Sequence, residues 1–263
     1  MSAISPVSHD LLVAIPLLLA LTLYILAAWA SNNRLKPWPI VRTVYWTLGI
    51  LTASAAVTGP LFHNAHDDFE AHMVVHLLLG MLAPFLMVMA APLTLVLRTL
   101  PVRPARQITK LLKSPFFGML TNPVAASALH VGGLWLVYAT RLYPLMHHDA
   151  LASLLVHAHI FLAGYLFTAS MISVEPVRYQ ASYMYRAAVF IMASACHGIL
   201  SKHIYAHPPD GVSLAQSETA GYMMYYGGDA IEIMLILVLC TQWFRAARPK
   251  TGNLRFMPSP REK

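Results

Sequence analysis

Seven apolar stretches, nearly free of charge, dominate this chain: residues 11 to 30, 41 to 59, 72 to 97, 123 to 140, 150 to 172, 185 to 205 and 220 to 244. Each is close to the roughly 20 residues a helix needs to cross a hydrocarbon core near 30 Å, at about 1.5 Å of rise per residue. The fourth is the shortest. Runs this continuous fit helices, whereas a lipid-facing barrel needs short strands of alternating polarity. Composition agrees: only 11% of the 263 residues are charged and 57% are hydrophobic, too little polar surface to coat a soluble protein of that size. The expectation is an all-α, polytopic membrane protein, with residues 1 to 263 forming a single seven-helix transmembrane domain with short loops.

Loop charges orient the bundle, because Lys and Arg collect on the cytoplasmic side. On one side lie Arg34, Lys36, Arg42, Arg98, Arg103, Arg106, Lys110, Lys113, Arg178, Arg186, Arg245, Arg248, Lys250, Arg255, Arg261 and Lys263; the other holds only Arg141 and Lys202. Sixteen against two places the N-terminus outside and the C-terminus in the cytoplasm. The formal charge of +7 therefore reads as topology rather than nucleic-acid binding. Residues 1 to 10 carry no basic residue, so the first span lacks the n-region of a secretory signal and is expected to be retained. The longest connection, 98 to 122, reads as a basic interfacial segment. Pro16, Pro84 and Pro92 are expected to kink or locally unwind their spans.

The thirteen histidines are placed one-sidedly. His9, His63, His66, His147, His148 and His207 fall in outer loops or the outer terminus, and His72, His76, His157, His159, His197 and His203 in the outer halves of spans. Only His130 is nearer mid-membrane. Histidines gathered on one side of a bundle invite a metal, haem or proton role there. His72 and His76, four apart, stack on one helix face as a two-nitrogen clamp, with Met73 adding a soft donor type. Imidazole suits copper, zinc, nickel or iron. His157, Cys196, His197, Asp229 and Glu232 fall at similar depth on spans five, six and seven. His157 and His159 differ by about 200° around a helix, and His157 is preferred because His159 lies deeper. Asp229 either ligates or accepts the second N–H of a ligating histidine and fixes its tautomer, the latter suiting Cu(I). His203 and His207 are either a relay or an interfacial helix end. Cys196 and Cys240 lie at different depths and are not expected to pair. No phosphate-loop, dinucleotide or H-E-x-x-H motif is present.

The run His72-Met73-Val74-Val75-His76-Leu77-Leu78-Leu79, with Ala83-Pro84, Ala91-Pro92-Leu93, the stretch from His157 to Phe167 and the Gly227-Gly228 pair, resembles the multi-spanning CtaG-type cytochrome c oxidase assembly family. That resemblance covers nearly the whole chain. It implies a non-enzymatic accessory protein of the bacterial cytoplasmic membrane, helping copper reach a haem-copper oxidase at the outer face. Asp229 and Glu232 depart from a more amide- and tryptophan-flavoured pattern after the glycines. Joined to the residues, the resemblance implies Cu(I) received from a periplasmic donor, held at His72, His76 and His157 with His197 near, and passed to an oxidase subunit. Two other readings compete: a b-type haem held by His76 with His157 or His197, and a proton-coupled transporter using Asp229, Glu232 and His197.

Overall fold

The computed structural model describes residues 6–175 and 181–248. Among the described residues there are helices and short loops and no strand. Six helices are long and apolar enough to cross a membrane, or seven when one bent pair counts as a span. That agrees with the seven apolar stretches.

Helices α1 (Pro6–Arg34) and α2 (Ile40–Val57) form an antiparallel pair at the edge of the bundle. A short α3 (Gly59–Asn64) leads into the third span, made of α4 (Phe69–His76), a π-helical segment (Leu77–Leu82) and α5 (Ala83–Met89). Then α6 (Pro92–Thr99), α7 (Val102–Leu112) and α8 (Pro115–Leu120) return the chain to α9 (Pro123–Ala139). Helix α9 meets α10 (Leu142–His148) at 76°, and α11 (Ala150–Met171), α12 (Tyr183–Ala206) and α13 (Leu214–Ala247) complete the bundle. Burial separates centre from edge: 67% of the third span's apolar window is buried, against 11% for α1. The third span is the hub on which α2, α11 and α13 pack.

Two boundaries differ from expectation. Helix α13 has 34 residues and starts at Leu214, six positions before residue 220, because Ser213 caps it by accepting from the Gln216 N–H. Pro16 lies inside α1 without ending it. The stretch 72 to 97 is not one helix: α5 ends at Met89, Ala91 adopts a left-handed φ of 52°, and Pro92 opens α6. A residue before proline is disfavoured in the α region, and proline suits a first helical turn where an N–H has no partner.

Pro84 acts differently. It has no N–H to bond the Gly80 carbonyl, and its ring crowds that carbonyl. The helix widens into the π segment, where the Ala83 N–H reaches back five residues to Leu78. The Gly80 carbonyl faces Gly164 of α11, where a β-carbon would collide with it, so the two backbones touch.

At the opposite end from the histidines, buried Glu175 ties the loop after α11 to the start of α6. Its carboxylate accepts from the Leu93 N–H at 2.8 Å, the Thr94 N–H at 2.9 Å and the Thr94 hydroxyl at 2.7 Å. Burial holds this carboxyl above the ordinary glutamate range, against the donated hydrogen bonds and the Arg42 charge, which pull it down. A raised folded-state pKa means that its stabilising contribution is complete at low pH and is lost as pH rises through that value. Glu175→Ala strands buried donors and is expected to cost about 2 to 4 kcal/mol in detergent thermal unfolding. Glu175→Gln keeps an acceptor, is expected to cost less, and should remove that pH dependence.

The neighbouring Arg186, one of the sixteen basic residues, is buried rather than displayed to headgroups. Its guanidinium donates to the Met171 carbonyl at 2.9 Å and the Ser173 hydroxyl at 2.6 Å, and lies 4.3 Å over the Tyr183 ring. Its position inside the first turn of α12 made it look like a loop charge. Helix α7 behaves as the sequence suggests for an interfacial segment: none of its residues is buried. Arg178, Lys250, Arg255, Arg261 and Lys263 lie outside the described residues, as does the His9 side chain.

Candidate metal centre

Alternation of the spans brings α3, α4, α10, the C-terminal ends of α9 and α12, and the N-terminal ends of α11 and α13 to one end of the bundle. The histidines gather there in two levels. Helix α4 supplies one to each, because a four-residue step that keeps a face also moves about 6 Å along the axis.

The outer level contains His66, His72, His147 and His157. Ring centres are 6.1 Å apart for His66 and His147, 6.2 Å for His72 and His147, and 6.3 Å for His72 and His157. Three of these rings are oriented by carbonyls one turn back: Nδ1 of His66, His147 and His157 lies 3.1, 2.8 and 2.8 Å from the oxygens of Phe62, Tyr143 and Ser153. A carbonyl has no proton to give, so each Nδ1 carries the hydrogen and each Nε2 the lone pair, the tautomer a metal ligand needs. His72 is buried, and its Nε2 lies 3.2 Å from the Tyr138 hydroxyl. A cavity of about 10 Å³ between these rings is also lined by Phe62 and Met146.

One turn deeper, His76 of α4 faces His197 of α12, with ring centres 6.2 Å apart. Both are 2% exposed. Neither ring nitrogen of His76 has a hydrogen-bond partner, nor does His197 Nε2. Buried polar groups are rarely left so, and two such imidazoles facing each other fit a cation. Given metal–imidazole bonds of about 2 Å, rings that hold one ion in line stand roughly 6 Å apart between centres. His197 Nδ1 lies 3.5 Å from the Glu232 carboxylate of α13, which orients the ring. Gly228, one turn before Glu232 on the same face, makes room for that ring: a β-carbon there would overlap His197 Cε1.

The structure thus distributes the expected ligands rather than bringing all four to one point. His72 and His157 belong to the outer level and His76 and His197 to the inner. Among the described residues no three His, Cys, Asp or Glu side chains converge closely enough to share an ion. His159 points elsewhere, its Nε2 3.1 Å from the Leu129 carbonyl of α9. Met73 is fully buried in the core with Phe69, Leu134 and Met224. Asp229, about 100° around α13 from Gly228, is not the carboxylate beside His197. Cys196 packs in the apolar core below, and Cys196 and Cys240 are both free thiols. His203 and His207 stack at 4.7 Å at the end of α12, His203 against Trp135, apart from both levels.

His66, His147 and Tyr138 were not singled out from sequence. The first two looked like loop residues, yet the turn that closes α3 and the short helix α10 fold them over the end of the bundle. A clue lies in their spacing, since each can donate to the carbonyl four residues back only within a helical turn. His130, buried and stacked on Phe167 at 5.1 Å, sits below the inner pair.

A bundle of apolar helices of membrane-crossing length, with imidazoles gathered at one end, defines a multi-pass membrane protein. The family of cytochrome c oxidase caa3 assembly factors (Caa3_CtaG) matches residues 22–246, and the chain belongs to that family. It is a family of assembly factors, not of catalysts. Uncharacterized proteins of Mycobacterium bovis and Mycobacterium tuberculosis are each 28% identical over 242 residues, covering 83% of this chain and 36% of theirs. One of Mycobacterium leprae is 25% identical over 229 residues, covering 79% and 35%. The chain spans about a third of the length of these curated relatives. No solved structure matches it.

Proposed function

We propose that this chain is an accessory factor of the bacterial cytoplasmic membrane that carries copper, as Cu(I), to a haem-copper oxidase during assembly. The observation that carries this reading is the His76–His197 pair, buried, 6.2 Å apart between ring centres, with three ring nitrogens unpartnered. Two-nitrogen sites suit a soft monovalent ion in transit, since few ligands allow exchange. Family membership supports the oxidase as the destination, and the sixteen-to-two division of basic residues supports a histidine end facing outside. On this reading a periplasmic donor loads the outer histidines and an oxidase subunit docked alongside unloads the inner pair.

The test is anaerobic Cu(I) titration of the purified chain in detergent, paired with the copper content of oxidase from cells. His76→Ala and His197→Ala are each expected to weaken the tightest copper site at least tenfold and to lower oxidase copper. Unchanged affinity and a fully metallated oxidase in both variants would overturn the proposal. A strong Soret band in the purified protein would replace copper with haem.

A further inference from the structure

The two histidine levels differ in a way that bears on how an ion would move. The outer level is reached from the surface: His66 is exposed and His147 and His157 are half-buried. The inner level is sealed. Between them stands buried Tyr138, with its hydroxyl on His72 Nε2 and its ring 6.3 Å from His76. His72 is therefore shared: its ring belongs to the outer group, and its metal-binding nitrogen is occupied by the residue that abuts the inner pair.

We propose, on the basis of the copper reading above, that these are two separate cation stations in series. A loading station stands at His66 and His147, with His157 and His72 alongside, and a storage station at His76 and His197. His66 and His147 are assigned to the loading station by three observations. Their ring centres are 6.1 Å apart, the spacing of a two-imidazole site. Both rings are locked by backbone carbonyls into the tautomer that leaves Nε2 as the donor. Both line the same cavity as His72 and His157, where Met146 offers a thioether. The absence of any convergent triad among the described residues fits this arrangement, because pairs hand an ion along by gaining one nitrogen as they release another. The ion stays Cu(I) throughout, and each step breaks one copper–nitrogen bond and forms one. Partial exposure makes the loading station the weaker and faster of the two, and burial makes the storage station tighter and slower.

The experiment titrates the purified chain in detergent with Cu(I) under anaerobic conditions against a chromophoric chelator, and follows loading by stopped flow. One variant combines His66→Ala with His147→Ala; the other is His76→Gln, with His197→Gln as an independent substitution at the same station. Elution volume and helical signal matching the unaltered chain certify the fold. The expected result is that each variant keeps a copper site: the loading variant retains the tight one but fills it at least tenfold more slowly, and the storage variants retain only a weaker, rapidly exchanging one. Loss of all binding in either class, or unchanged loading after removal of His66 and His147, would mean a single site and overturn the two-station inference while leaving the copper reading intact. An unaltered chain that binds no Cu(I) would overturn both.

Discussion

Gly164→Ala is expected to cost more stability than a methyl added at any other described glycine. A β-carbon at Gly164 would sit on the Gly80 carbonyl oxygen, well inside contact distance. Most overpacked sites relax by turning a side chain, at about 1 to 3 kcal/mol. Here both partners are backbone, on the hub span and on α11, so relief requires the helices to separate. The cost should exceed about 3 kcal/mol, read as a lower detergent melting temperature and reduced accumulation in the membrane. Gly118→Ala, where nothing lies within 4 Å of the added carbon, is the control expected to change neither. A Gly164→Ala protein as stable as the unaltered chain would show that the close crossing does not exist.

The second large effect falls on function. Gly228→Ala should weaken the tight copper site at least tenfold while leaving every proposed ligand in place. The added methyl would overlap His197 Cε1 and crowd Nδ1 at 3.1 Å. Because His197 is pressed between α13 and His76, its ring is forced off the Glu232 carboxylate and out of line with its partner. Yield and helicity should fall much less than copper affinity, since a side chain can move where a backbone cannot. Unchanged affinity in Gly228→Ala would mean that His197 is not part of the storage station. Gly227→Ala is the informative neighbour: its methyl meets Leu77 at 2.6 Å, and should perturb packing without touching the imidazole.

Much of the fold could be read directly. The length of hydrocarbon a helix must cross is fixed by the bilayer, so uncharged runs near 20 residues announce themselves, and all seven have a helical counterpart. Their ends were less legible where local chemistry overrides hydropathy. Ser213 starts α13 early, and Ala91-Pro92 cuts the third stretch short. Arg186 shows the limit of counting charges: a guanidinium beside an inner boundary reads as topology, but carbonyl and hydroxyl partners bury it.

The site was legible in its residues and not in its grouping. His72 and His76 share a helix face, which suggests one clamp, but the rise between them presents each to different neighbours, His147 and His157 above and His197 below. That choice depends on tilt and crossing points, which no span-by-span depth estimate contains. The same holds for the carboxylate beside His197. Asp229 and Glu232 are both within reach by depth, and the angular position of Gly228 decides for Glu232.

The π segment below His76 has a mechanical meaning as well. Helices transmit torque through their repeating hydrogen bonds, and here that repeat is interrupted between the half of the span carrying both clamp histidines and the half anchoring it to α2 and α11. The extra residue in that wide turn sets the angle of the upper half relative to the lower, and so fixes which neighbours His72 and His76 meet.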